Sequence, residues 1–246
     1  MSREKVEIST PDGTCPATVF RPDDDASHPA VIFYMDGLGI RPAILDMGER
    51  LASYGYVVLM PDLFYRYGPY APMVPKDVFA TGDVRKAVGP YMSTTSNQKA
   101  GEDTRAFLAY LDSRGDIQGT KIGTTGYCMG GGMSLTAAGL FPGRVAAAAS
   151  FHGGGLATDS PMSPHLLASK MKASVYVAGA DQDSSYPPEQ AELLERSLSA
   201  AGVAHRCEIY AGALHGWTMT DFPVYEPESA ERHWTELTGL YAGTLG

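Results

Sequence analysis

Fully apolar runs alternate with amphipathic stretches along most of this chain. Ala30-Val-Ile-Phe-Tyr-Met35 and Tyr56-Val-Val-Leu-Met60 carry no charged position. An unbroken apolar run of this length is the mark of a strand buried on both faces. Val145 to Phe151, Ser174 to Ala178 and Arg206 to Tyr210 read as further strands. At the N-terminus, Lys5 to Ile8 and Thr14 to Phe20 flank Pro11-Asp12-Gly13 and predict a hairpin. Between the strands lie helical patterns. Pro42 to Tyr54 places Ile44, Met47, Leu51 and Tyr54 at helical spacing, and Gly55 stops it. Gln98 to Leu111, Pro187 to Ala201 and Pro227 to Tyr241 predict three more helices. Leu63 to Asn97 is the least regular part, rich in Tyr, Pro and Gly, with one short helix expected near Asp77 to Val88. Irregular connections of this length often cover a functional site. Strand and helix alternate, so the pattern predicts an α/β fold with a mostly parallel central sheet covered by helices on both faces. The 246 residues suit one large domain, spanning 1–246.

One stretch concentrates chemistry. Ile122 to Thr125 is a β-type run, Gly126-Tyr127-Cys128-Met129-Gly130 follows, and Met133 to Leu140 is helix-prone. This is the G-x-S-x-G nucleophile elbow with Cys in the Ser position. A nucleophile on a sharp strand-to-helix turn needs nearly side-chain-free neighbours, because the turn brings two backbones together. It also sits at a helix N-terminus, which favours a thiolate and a developing oxyanion. The plainer alternative is an inert buried Cys in a Gly-rich turn. In parallel sheets, ligands bind beyond the carboxyl ends of the strands. Asp36, Cys128, His152, Asp183 and His215 are all predicted to lie there. A thiolate needs a base, and the base an orienting carboxylate. Cys128, an Asp from Gly179-Ala-Asp181-Gln-Asp183, and His215 occur in the order nucleophile, acid, base. Taken singly, His215 also fits a loop histidine bonded to backbone, and Asp183 a solvated turn.

Charge and cysteine content narrow the classes. The formal net charge is −9, which argues against nucleic-acid and anionic-membrane binding. No run approaches the roughly 18 apolar residues of a membrane helix, and the chain opens Met-Ser-Arg-Glu-Lys without an apolar leader. Cys15, Cys128 and Cys207 are an odd number at unrelated spacings. They read as free thiols in a reducing, cytoplasmic compartment, with Cys15 and Cys207 as packing residues. There is no H-E-x-x-H, no G-x-x-x-x-G-K-[ST] and no dinucleotide G-x-G-x-x-G after a strand. No C-x-x-C is present, which disfavours a thiol redox protein.

The pieces Met35-Asp36-Gly37-Leu38-Gly39, Pro61-Asp-Leu-Phe64, Gly126-Tyr-Cys-Met-Gly-Gly131, Ala178-Gly-Ala-Asp-Gln-Asp-Ser184 and His215-Gly-Trp217 make the chain resemble the dienelactone hydrolase (carboxymethylenebutenolidase-like) family along nearly its whole length. The resemblance implies an α/β-hydrolase fold and hydrolysis of a lactone or ester without metal or organic cofactor. It implies Cys128 as nucleophile, His215 as base and Asp183, rather than Asp181, as orienting acid. The oxyanion hole would be the backbone N–H groups of Met129 and Gly37. The family carries a Glu in its first loop that helps form the thiolate, and Asp36 stands there, one methylene shorter. It also holds the substrate carboxylate with arginines. One lies four residues after the His, where this chain has Met219, and Arg85 is the candidate for another. His152 and Trp217 are candidates for shaping the pocket, as are Tyr65, Tyr67 and Tyr70, which equally suit a core under the long loop. The expected partner is a neutral or less charged small-molecule ester or lactone, bound by a monomer or homodimer. A thioesterase or acyltransferase on the same site, and a silent binding module on the same fold, are the competing readings.

Overall fold

The computed structural model describes residues 1–245. Eight strands form one sheet: β1 (Ser2–Thr10), β2 (Gly13–Arg21), β3 (His28–Tyr34), β4 (Val57–Pro61), β5 (Ile117–Tyr127), β6 (Val145–Phe151), β7 (Ser174–Ala180) and β8 (His205–Tyr210). Their order across the sheet is β1-β2-β4-β3-β5-β6-β7-β8. β1 and β2 form the predicted hairpin, with Thr10 opposite Gly13, and β2 meets β4 antiparallel. Every other neighbouring pair is parallel.

The helices are α1 (Pro42–Ser53), α2 (Pro75–Ala80), α3 (Val84–Met92), α4 (Asn97–Asp112), α5 (Met129–Leu140), α6 (Pro188–Ala200) and α7 (Pro227–Leu245). α1 and α7 lie together on one face, tied by Arg50 to Glu231 at 2.5 Å. α4 and α5 take the other. β5 shows why its core run has no exposed position. Thr124 hydrogen-bonds the Ser134 carbonyl of α5 at 3.3 Å, whereas the neighbouring Gly123 is packed under Tyr241 of α7. Alternate residues therefore meet different helices, and both faces are dry.

Three departures from the sequence reading have local causes. The single helix expected near Asp77 to Val88 is two. Gly82 adopts φ +70°, and Asp83 then caps a new helix by accepting the Lys86 N–H at 3.0 Å. A 3-10 helix at Pro164–Lys170, not anticipated, packs Leu167 against Gly139 of α5. β5 also starts five residues earlier than its apolar run, through exposed positions. Among the described residues, no helix is long and apolar enough to cross a membrane.

Under the irregular segment, Tyr65 donates to Asp103 at 2.9 Å and Tyr70 to Asp62 at 2.9 Å. Asp62 also accepts the Phe64 N–H at 3.0 Å, closing its turn. Tyr67 is exposed and packs on Tyr91. Tyr65 and Tyr70 thus anchor the loop rather than line a cleft. Cys15 and Cys207 lie in β2 and β8, and burial pushes both thiols up and out of the reactive range.

Candidate active site

The turn between β5 and α5 is built by its glycines. A Cβ on Gly126 would lie 1.9 Å from the Gly130 carbonyl oxygen. A Cβ on Gly130 would lie 2.3 Å from the carbonyl oxygen of Tyr34 and 2.5 Å from that of Met35. The helix start is therefore pressed onto the end of β3, and only glycine fits either position. Between them Cys128 caps α5 with φ 54° and ψ −117°. Its N–H donates to Phe151 O at 3.1 Å, and its carbonyl accepts from Gly131 N–H at 3.1 Å. The residue remains partly open to solvent.

Among the described residues, three non-glycine residues have positive φ: Cys128, His152 (φ 39°) and Gln182 (φ 53°). They follow the carboxyl ends of β5, β6 and β7. Such backbone is held only where surrounding structure over-determines it, and it gathers at functional sites.

His215 lies in the loop after β8. Its Nδ1 is 2.6 Å from Asp183 Oδ2. The other oxygen of Asp183 accepts from Ser185 N–H at 2.8 Å and Ser185 Oγ–H at 2.7 Å. Burial works against the Asp183 charge, but the bonds from His215 and Ser185 outweigh it and hold the carboxyl below its ordinary value. Asp181 has a different job. It accepts the Gly212 N–H at 2.9 Å, and its own N–H donates to Ala213 O at 2.8 Å, so it pins the two loops side by side. Burial would lower the His215 pKa, yet Asp183 and the Cys128 side chain raise it from 6.5 to about 10.

His152 is fully buried and its Nε2 is 2.7 Å from Thr218 Oγ1. Its ring meets His215 edge-on at 5.2 Å and Trp217 at 4.9 Å. Burial first, then the facing His215 and His233, keep it neutral. His152 therefore backs the His215 ring, and Trp217 backs His152. Trp217 is wholly buried, stacked on Tyr210, and does not line a cleft.

Met129 precedes Gly130, which rests on the Tyr34-Met35 backbone from which Asp36-Gly37 continues. Neither the Met129 nor the Gly37 N–H has an acceptor among the described residues. Asp36 lies in the loop after β3. It is buried, and both its oxygens are taken by Arg41, at 2.7 and 2.9 Å, with Oδ1 also accepting the Leu38 N–H at 2.9 Å. Its carboxylate is held in an ion pair with Arg41. Arg85 is exposed on α3 and lies outside the cleft lining, and Met219 is fully buried.

Beside the elbow is an open cleft of about 480 Å³. Met92, Thr95, Asn97, Met129, Met133 and Met162 form much of its wall, and none of its eleven lining residues is charged. Met92 Sδ sits 3.2 Å from where a Gly37 Cβ would be, so the cleft begins at that loop. Ser185, Arg41 and the methionine wall were not singled out in the sequence. Ser185, two residues from Asp183, fits the local Asx-turn pattern, but the others depend on distant pairing. Among the described residues, no group of three or more His, Cys, Asp or Glu side chains is arranged to hold a metal ion.

Residues 15–244 match the family model of the dienelactone hydrolase family. The chain belongs to that family. It is a dienelactone hydrolase-like enzyme, a hydrolase of the ester- and lactone-cleaving class. A Synechocystis protein named "Putative carboxymethylenebutenolidase" is 27% identical over 223 residues, 89% of this chain and 87% of that protein. A crystal structure described as a "Putative Dienelactone Hydrolase" of Klebsiella pneumoniae superposes with a TM-score of 0.83 at 23% identity, covering 98% of each chain. A hyperthermophilic esterase from Pyrobaculum calidifontis gives 0.70 at 19% identity, covering 97% of this chain and 84% of that one. The sheet and its flanking helices are thus those of the α/β-hydrolase fold.

Proposed function

We propose that the protein hydrolyses a neutral carboxylic ester or lactone through Cys128, His215 and Asp183 with an acyl-thioester intermediate. The observation that carries this reading is the 2.6 Å contact of Asp183 with His215 Nδ1, beside a cysteine on a strained strand-to-helix turn. The thiolate attacks the substrate carbonyl carbon while His215 is protonated. The carbonyl oxygen becomes negative and meets the N–H groups of Met129 and Gly37. As the carbon–oxygen bond breaks, His215 Nε2 delivers its proton to the leaving oxygen. The acyl-thioester leaves no charge on sulfur. One cause of the raised His215 pKa thereby disappears, and the ring becomes able to take a proton from water. Water attack releases the acid and restores the thiolate. Asp183 holds the Nδ1–H and fixes the tautomer throughout.

This reading makes pH a test. The reactive imidazolium is lost as pH rises through about 10, so kcat/KM falls along an alkaline limb near that value. Asp183→Asn removes the strongest raising cause and moves the limb toward 6.5, by more than about one unit. A limb that stays in place in the variant contradicts the assignment of Asp183. The same shift bears on stability. A raised folded-state pKa stabilises fully below about pH 6.5, and that contribution is lost as pH climbs through about 10.

The uncharged cleft supports a neutral substrate. An anionic carboxylate placed there loses hydration and meets neutral hydroxyl and amide donors but no cation. A neutral nitrophenyl ester is expected to exceed its carboxylate-bearing analogue in kcat/KM by at least about 10-fold. Met162→Arg narrows that gap, whereas equal rates with both esters in the wild type contradict a neutral preference.

A further inference from the structure

We infer that Arg41 is a positioning residue that locks the loop carrying the Gly37 N–H to the loop carrying His215. The inference rests on the cysteine-nucleophile reading above. Arg41 lies just before α1 and is 1% exposed. All five of its N–H donors are engaged. Nη1 donates to Asp36 Oδ1 at 2.7 Å and to Gly39 O at 3.2 Å, and Nη2 to Asp36 Oδ2 at 2.9 Å. Nε donates to Asp221 Oδ2 at 2.7 Å, and Nη2 also reaches Asp221 Oδ1 at 3.2 Å. A planar guanidinium with two fork-shaped partners fixes distance and angle together, which lysine does not do.

Each end of this clamp is stiffly joined to a reacting group. On one side, Asp36 to Gly39 is a closed turn. Gly39 N–H donates to Asp36 O at 3.2 Å and Leu38 N–H to Asp36 Oδ1 at 2.9 Å, with Gly37 inside. On the other side, successive turn bonds run from the His215 loop to Asp221. Trp217 N–H donates to Leu214 O at 3.0 Å, Met219 N–H to Gly216 O at 2.9 Å, and Phe222 N–H to Met219 O at 3.0 Å. Phe222 adds a packed contact. Its ring is 5.0 Å from Arg41 Cζ, and it lies under Gly216, where a Cβ would come within 2.7 Å of it. One side chain thus sets where the oxyanion donor stands relative to the base. Two carboxylates share one guanidinium, so the arrangement exceeds what pairing one buried acid requires. A misplacement of the order of an ångström at a catalytic group costs large factors in rate.

The test uses the full-length enzyme, a neutral nitrophenyl acetate, and iodoacetamide labelling of Cys128. Arg41→Lys keeps the charge and loses the fork. Asp221→Ala opens only the His-loop side, at a partly exposed carboxylate, and leaves Asp36 paired, so it decides the matter if Arg41→Lys does not fold. Both variants are expected to lower kcat by roughly 10- to 100-fold with KM within about threefold of wild type. Alkylation of Cys128 forms no oxyanion, so its rate stays within about twofold of wild type. A merely structural role slows labelling and turnover together, or raises KM instead, and either result overturns the inference. Wild-type kcat in a folded Asp221→Ala variant also overturns it. If wild-type turnover does not depend on Cys128, the catalytic reading itself falls, and the clamp with it.

Discussion

Cys128→Ala is expected to lower turnover of a neutral aryl ester by at least about 10³-fold. Folding stability should not fall with it. The nucleophile gives its bond to the substrate carbon, and no neighbouring group offers a substitute: Cys15 is buried within β2 and Cys207 lies on β8. The sulfur contributes little to the core, because the residue is partly open. Backbone conformation matters more here than the side chain. At φ 54° and ψ −117° a residue with a Cβ stores about 1–3 kcal/mol of strain, which alanine keeps and glycine relieves. Cys128→Gly should therefore be as inactive as the alanine variant yet more stable than wild type by about 1 kcal/mol. Steady-state rates and denaturant unfolding of the two variants check this. A glycine variant less stable than wild type would show that the turn is not strained.

Gly126→Ala should act on the fold rather than the chemistry, and severely. Its Cβ would lie 1.9 Å from the Gly130 oxygen and 2.8 Å from the Gly131 nitrogen. These are backbone atoms, held by α5 and by the contact of Gly130 with β3, so no side chain can swing aside. The helix start must move off the sheet, at an expected cost above about 3 kcal/mol. Gly55→Ala serves as the control. Gly55 has positive φ, +94°, which Gly126 does not, and open space surrounds it. That substitution meets only the backbone penalty, about 1 kcal/mol. Unfolding midpoints for the pair separate crowding from conformation. Equal, small losses in both would mean that strand and helix do not meet as closely as described.

The sheet was readable because its strands are buried on both faces. Ala30 to Met35 and Ala147 to Phe151 have no solvent side to blur the pattern. The elbow was readable because its steric demand falls on residues two apart from the cysteine. Gly82 was harder, since one positive-φ glycine and one capping Asp decide between a single helix and two. Side-chain commitments across the fold were not legible. Asp36 is local to Gly37 in sequence, but its role depends on Arg41, whose second partner, Asp221, lies 180 residues further along. Trp217 is two residues from His215, yet Tyr210 and His152 pull it into the core. The methionine wall draws Met92, Met133 and Met162 from three separate segments, and no sequence spacing joins them.

The central claim is that Cys128 carries the acyl group. Rapid quenching of the enzyme during turnover of an activated neutral ester, followed by mass analysis of its peptides, tests it most directly. The expected result is one added acyl group on the peptide holding Cys128, lost on standing and absent from Cys128→Ala. Steady turnover with that peptide unmodified, or with the acyl group on a different residue, would contradict it.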